Sequence, residues 1–190
     1  MVSTLKLTKI QIPNSDSDVI SLDASSGNIT FNKVINSPNN PCFHVGKNQD
    51  QSISDGTVTA VTFESTTDGG DSGQIINKGG LFANNKFTVT AATTGIYYFY
   101  TSLFTQSAGV LSDSYVFFRK NGSTQMQTAI GSFSFGSYAY NFQISGLINL
   151  SSASDYVEVV IDCDQAGGNA LNVNYNAGYQ RTEFGGYKVS

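Results

Sequence analysis

The segment Gly95-Ile96-Tyr97-Tyr98-Phe99-Tyr100 restricts the folds open to this chain more than any other stretch. Side chains alternate across a strand, so Ile96, Tyr98 and Tyr100 leave one face and Tyr97 and Phe99 the other. A sheet with one solvated face needs bulky apolar groups on one side only. A strand with large groups on both sides must be covered twice, inside a sandwich or against another subunit.

The rest of the chain is consistent with an all-β protein. No helical period persists for two turns, and short strand patterns are separated by Gly, Asn, Asp and Ser clusters. Leu5 to Ile12 alternates apolar and polar residues, and Val19-Ile20-Ser21-Leu22 and Ile29-Thr30-Phe31-Asn32 flank a turn at Ser25-Ser26-Gly27-Asn28, as a hairpin would. These strands hold too few large residues for a core of their own. They must pair with copies of themselves or with another protein, and Leu5, Leu7, Ile10 and Ile12 are the candidate docking residues. Asn36 to Pro41 carries two prolines, which central strands exclude, and reads as a linker. The predicted organisation is an N-terminal β extension over 1–35, a linker over 36–41 and a head domain over 42–190.

Within the head, Phe43 to Val45, Val58 to Phe63, Phe87 to Thr90, Tyr115 to Arg119, Ile144 to Leu150 and Val157 to Ile161 read as strands. Lys120-Asn121-Gly122 is a strong hairpin turn. Gln125 to Gly136 has no readable phase. Many short strands with turns at short spacing predict an antiparallel sandwich, most simply a jelly roll.

Composition narrows the function classes. A core of about 150 residues buries roughly 68–70% of its unfolded surface and needs no staples. The 10 Lys+Arg against 14 Asp+Glu leave a net charge of -4, with no basic stripe for phosphate backbones, which speaks against nucleic-acid binding. The surface is expected to be rich in Ser, Thr, Asn and Gln, as on extracellular and virion proteins. Met1 to Lys6 lacks the apolar core of a secretory signal, and no apolar run approaches a membrane span, so synthesis in a cytoplasm is expected. Cys42 and Cys163 make no disulfide framework and read as two small buried hydrophobes. The sequons at Asn28, Asn121 and Asn149 read as accidents of composition.

From about Pro41 to Ser190 the order of motifs resembles the C1q-like domain, a relative of the tumour-necrosis-factor jelly roll. Phe82 to Phe99 is similar to the family's aromatic core, Phe117 to Gly122 to its strand ending in K-N-G, Ser145 to Leu150 followed by Asp155-Tyr156-Val157 to its S-G-x-x-x-L and G-D-x-V, and Phe184-Gly185-Gly186-Tyr187 to its closing F-S-G-[FY]. The family's proline before the aromatic strand is Thr93 or Thr94 here, its G-D is Ser154-Asp155, and no collagen repeat is present. The resemblance implies a homotrimer with aromatic strands meeting near a threefold axis. Tyr97 with Phe99, or Tyr98 with Tyr100, are then the candidate interface residues, together with Tyr187. Ser3 to Phe31 is similar to N-terminal segments of bacteriophage structural proteins, especially tail-fibre proteins. This implies docking on a tail or capsid protein.

Candidate chemistry is sparse. His44 is the single histidine, without a G-x-S-x-G elbow, and reads as structural or as a surface residue. Asp68 and Asp71 lie in a glycine loop, and Asp162 and Asp164 flank Cys163. Calcium takes oxygen ligands from such loops, and some C1q-like trimers bind it near their axis, so these four are metal candidates without an EF-hand spacing. The same carboxylates could serve a glycosidase. Phe133, Phe135, Tyr138 and Tyr175 lie in segments rich in Tyr, Phe, Ser, Gly and Asn, a composition suited to recognition surfaces.

The function expected from these readings is a non-enzymatic bacteriophage virion module, a short tail fibre or knob with a trimeric head that meets a host-surface glycan or protein or a neighbouring virion protein. The alternatives are a capsid decoration protein, a cellular C1q/TNF-like signalling ligand and a host-glycan hydrolase.

Overall fold

The computed structural model describes residues 9–11, 18–22, 26, 29–31, 40–64, 75–107, 109–130, 138–177 and 180–190. The chain divides into two compact units, Met1–Pro38 and Asn39–Ser190. In the first unit, β1 (Lys9–Gln11), β2 (Asp18–Leu22) and β3 (Ile29–Phe31) form an antiparallel sheet in the order β1-β2-β3. Ile10 stands opposite Ile20, and β2 pairs β3 through Ile20 and Phe31, the hairpin expected from the sequence.

The second unit holds two main sheets and, among the described residues, no helix. Its early strands are short: β4 (Cys42–Gly46), β5 (Gln51–Ile53), β6 (Thr59–Ala60), β7 (Ile76–Lys78), β8 (Phe82–Ala83) and β9 (Lys86–Thr88). The aromatic segment opens β10 (Gly95–Ser107), followed by β11 (Val110–Leu111), β12 (Ser114–Lys120), β13 (Ser123–Ile130), β14 (Tyr138–Leu150) and β15 (Tyr156–Asp162). The chain ends through β16 (Gln165–Ala166), β17 (Leu171–Val173), β18 (Asn176–Ala177), β19 (Gln180–Arg181) and β20 (Glu183–Lys188). Val58 to Phe63, expected as one strand, forms a strand only at Thr59–Ala60, opposite Ile161 and Val160, with Val61 N still donating to Val159 O at 2.9 Å.

One sheet runs β7-β4-β20-β10-β14, with β17 and then β5 continuing beside the far end of β10. The other runs β13-β12-β15-β9-β8, with β6 also on β15. Their facing sides meet in an aromatic core. Phe99 of β10 has five rings within 6.1 Å, those of Phe43, Phe87, Tyr97, Phe118 and Phe184, drawn from both sheets. Edge-on and tilted pairs at this spacing let rings fill volume and align their quadrupoles.

Two motifs of the sequence meet at one corner. Asn121 and Gly122 take φ 51° and 79°, the two positive values a two-residue hairpin turn needs, and join β12 to β13. The turn is tied to the start of β15 by Asp155. This carboxylate accepts hydrogen bonds from Asn121 Nδ2 at 2.7 Å and Ser152 N at 3.0 Å and pairs with Lys120 Nζ at 2.9 Å. The Lys120 and Asn121 contacts, then the Ser152 amide, hold its pKa down at about 2. Asn121 Oδ1 accepts from Tyr156 N, so both ends of its side chain are occupied by the fold.

Lys47 is buried, with 2% of its surface exposed. Its Nζ donates to Thr62 O and Thr62 Oγ1, each at 2.8 Å, and to Gln51 Oε1 at 3.2 Å. Burial lowers its pKa from 10.5 to about 8, against the opposing pull of Asp50. Between those two values the unfolded chain holds more protons than the native one, so stability rises with pH. Burial raises the Cys163 thiol above 9.0 and the Tyr97 phenol to about 12, and these groups act in the opposite direction at higher pH. The net rise is therefore confined to the interval from about pH 8 to about pH 9. Urea midpoints are expected to increase across it with a slope approaching ~1.4 kcal/mol per pH unit. In Lys47→Met that increase disappears; an unchanged slope in the variant would assign it to another group.

Candidate functional site

The two faces of β10 have different fates. Tyr97 and Phe99 are fully buried between the sheets, while Ile96, Tyr98 and Tyr100 point away from the core. This removes Tyr97 and Phe99 from the candidate interface: the second sheet already covers them, and no partner can reach them in the folded head. Tyr98, Tyr100 and Tyr187 lie together on the opposite side of the same sheet.

Cross-strand register builds that outer face in rows. Leu147, Tyr98, Tyr187, Cys42 and Lys78 stand side by side across β14, β10, β20, β4 and β7. The next row is Ser145, Tyr100, Gly185, His44 and Ile76. Beyond the first row, Asn149 faces Ile96, and Val189 N donates to Ile96 O. Leu147 is 61% exposed, and Ile76, Ile96, Tyr187 and Val189 are each more than a third exposed. Five of the seven exposed large hydrophobics among the described residues thus gather on one sheet face, with Tyr98 and Tyr187 rings 5.5 Å apart at its centre. Scattered apolar residues are ordinary on a surface; a contiguous patch with a polar rim marks an interaction site. The rim here is Lys78, Gln143, Ser145, Asn149 and Glu183.

The Gly185-Gly186 pair lets this face and the core approach the same strand. A Cβ on Gly185 would lie 2.4 Å from Tyr100 Cζ, and one on Gly186 would lie 2.7 Å from Phe99 Cδ1 and 2.8 Å from Tyr98 O. One glycine therefore admits the Tyr100 ring on the outer side and the other admits Phe99 on the inner side. Tyr100 Oη reaches His44 Nδ1 at 2.9 Å, and His44 Nε2 stands 3.7 Å from Glu183 Oε2. Burial raises the Tyr100 pKa, followed by the nearby Glu183, Cys42 and Tyr98 groups. A shallow hollow beside this cluster, between β14, β10 and β20, is lined by Tyr100, Ser102, Gln143, Ser145 and Glu183.

The other candidates are dispersed. Asp162 lies on β15 opposite Tyr115. The Asp164 backbone is locked to Ser112 and Ser114, and Asp164 Oδ1 lies over the Gly56 turn. Among the described residues no three His, Cys, Asp or Glu side chains group as metal ligands. Asp68 and Asp71 lie outside the described residues, as do Leu5, Leu7, Ile12, Phe133 and Phe135. Ile10 is placed in β1, and Tyr138 opens β14 opposite Ser107. Tyr175 is exposed, and its backbone N donates to Asp50 Oδ1 at 2.9 Å. Cys163 is buried as expected, whereas Cys42 is only half-buried because β4 turns it outward with His44.

Leu147, Ile76, Ile96, Val189, Cys42 and Glu183 were not singled out by sequence reasoning as members of a site. The signal for Leu147 was present: with Ile144, Gly146, Ile148 and Leu150 on one side, it is a leucine alone among Ser145 and Asn149 on the other.

No protein-family model matches the chain, and no curated protein matches it. Among solved structures, murine APRIL superposes with a TM-score of 0.50 at 17% identity over 79% of this chain and 99% of that one. The globular domain of zebrafish complement 1qA protein gives a TM-score of 0.45 at 16% identity over 79% of this chain and 98% of that one. At these identities the likeness concerns the fold. The likeness to APRIL, with the strand order, shows the fold alone: the second unit is an all-β sandwich of the C1q/TNF jelly-roll type.

Proposed function

We propose that this protein is a non-enzymatic structural module that assembles as a homotrimer through the outer face of the β7-β4-β20-β10-β14 sheet. The observation that carries this reading is the concentration of Leu147, Tyr98, Tyr187, Ile96 and Val189 on that face, while the opposite face is already saturated by its own core. C1q and TNF family members form trimers, which supports three copies. A contact between this face and a different surface of the next copy closes a ring when the rotation is one third of a turn.

We further place the trimer in a bacteriophage virion, as a short tail fibre, knob or head decoration. This reading takes up the resemblance of Ser3 to Phe31 noted in the sequence, and it is supported by the segregation of Met1–Pro38 as a unit with its own sheet. In this role the N-terminal strands dock on the particle, and the head meets a host-surface glycan or protein or a neighbouring virion protein. A cellular C1q/TNF-like ligand is equally compatible with the fold.

Deletion of residues 1–38 tests the division of labour. The remaining chain is expected to sediment as a trimer and to be missing from purified particles. A monomeric product contradicts assembly through the head, and a trimer still incorporated into particles contradicts the docking role.

A further inference from the structure

We propose that the hollow between β14, β10 and β20 binds one neutral sugar ring and is the point at which the head meets a host-surface glycan. This rests on the reading of the head as the part that contacts the host, and it names the site and the class of ligand.

The hollow exists because Tyr100 leans away from β14. Its ring fills the place of the absent Gly185 side chain, where a Cβ would stand 2.4 Å from Cζ, and its hydroxyl reaches His44 Nδ1 at 2.9 Å. Ser145, opposite Tyr100 on β14, is too short to fill the space left behind. In the next row Ser102 stands between Gln143 of β14 and Glu183 of β20. A serine floor thus separates an amide on one wall from a carboxylate on the other. The hollow has a volume of about 280 Å³. That is at the lower limit of the roughly 300–1,000 Å³ of small-molecule sites, which suits a single ring.

Bonds behind the walls hold them in place. Thr101 Oγ1 donates to Glu183 O at 2.7 Å, His44 Nε2 stands 3.7 Å from Glu183 Oε2, and Ser102 Oγ donates to Asn141 Oδ1 at 2.8 Å. Among the described residues, no hydrogen bond engages the side-chain groups of Gln143, Ser145 or Glu183, so these remain open to a ligand.

The lining chooses the ligand. Glu183 is the one carboxylate among the lining residues, and no Lys or Arg lines the hollow. An anion would meet that carboxylate without a cation to answer it. An apolar ligand would leave the carboxylate and the amide unpaired, which costs free energy at each group. A ring with neighbouring hydroxyls satisfies both: hydroxyls donate to the carboxylate oxygens, and the amide donates one hydrogen bond and accepts another. Tyr98 and Tyr100 supply an apolar wall for the C–H groups of the ring. A single carboxylate also favours binding without turnover, since most glycosidases flank the bond with two. Gln143, Ser145 and Glu183 belong to the polar rim of the assembly face. Among the described residues β14 pairs only with β10, so the hollow lies near a sheet edge and beside the apolar rows.

The test is saturation-transfer NMR and titration of the 190-residue chain with methyl α-glucoside, methyl α-galactoside and methyl α-mannoside, and with glucuronate as the acidic counterpart. Sedimentation gives the mass of each sample. At least one methyl hexoside is expected to bind in the millimolar range, and glucuronate more weakly. Glu183→Ala should weaken that binding at least about tenfold and Gln143→Ala at least about threefold, both with an unchanged circular dichroism spectrum. Glucuronate bound as tightly as the best hexoside overturns the ligand class. A hexoside bound equally well by Glu183→Ala overturns the assignment of the hollow and leaves sugar contact by the head standing. A chain that binds none of these sugars overturns the inference together with the glycan reading on which it rests, and a trimeric mass in that sample keeps the assembly reading. Release of methanol from a bound hexoside overturns binding without turnover.

Discussion

Leu147→Asp is expected to convert the protein into a folded monomer. Leu147 is the most exposed of the large hydrophobics on the outer face and stands in the row of Tyr98 and Tyr187. Full burial of a leucine is worth roughly 1.5–3 kcal/mol, and placing an unpaired carboxylate in the same desolvated position costs several kcal/mol more. The two effects act once per copy, so the association constant should fall by at least about 1000-fold. The monomer fold has little at stake: the side chain lies outside the core, and surface substitutions usually move stability by no more than about 0.5 kcal/mol. Sedimentation should report monomers, and circular dichroism should report an unchanged sheet signal. A variant that stays assembled, or one that unfolds, would contradict the placement of this residue.

Phe99→Ala is expected to act in the opposite sense, on folding. Its ring is fully buried and touches Phe43, Phe87, Tyr97, Phe118 and Phe184. Removing a ring from such a site costs about 3–5 kcal/mol, through lost burial and the cavity left behind. That is a large fraction of the 5–15 kcal/mol typical of a native domain. Urea unfolding of the Leu147→Asp background avoids the concentration dependence that assembly adds to apparent stability. A loss below about 1 kcal/mol would be incompatible with the core position. Tyr98, one residue earlier and on the other face, should instead resemble Leu147 when replaced.

The contrast between these neighbours marks how far the sequence could be read. Alternation along Gly95 to Tyr100 established that both faces are apolar, and turn chemistry at Asn121-Gly122 placed a hairpin where β12 meets β13. The pattern does not say which face meets the second sheet, because rings occupy both. That choice is made by partners far along the chain: Gly186 leaves space for Phe99 inside, and Gly185 leaves space for Tyr100 outside. The assembly face was legible only in part for the same reason. Tyr98, Tyr100 and Tyr187 belong to aromatic motifs and attract notice. Leu147 and Ile76 stand alone on the polar side of their strands, with Ser145 and Asn149 or Gln74 and Lys78 two positions away, and join Tyr98 and Tyr187 in a patch only when register sets five strands side by side. The members of the His44–Glu183 pair lie 139 residues apart in the chain, and no local spacing reveals it. The strand at Thr59–Ala60 is shorter than the alternation over Val58 to Phe63 because alternation alone does not guarantee a partner strand along its whole length.

Sedimentation equilibrium of the 190-residue chain tests the assembly claim most directly. A species of three times the 20.3 kDa chain mass is expected, and Leu147→Asp should shift it to a single chain mass. A wild-type protein that sediments at 20.3 kDa across its concentration range would contradict assembly through this face.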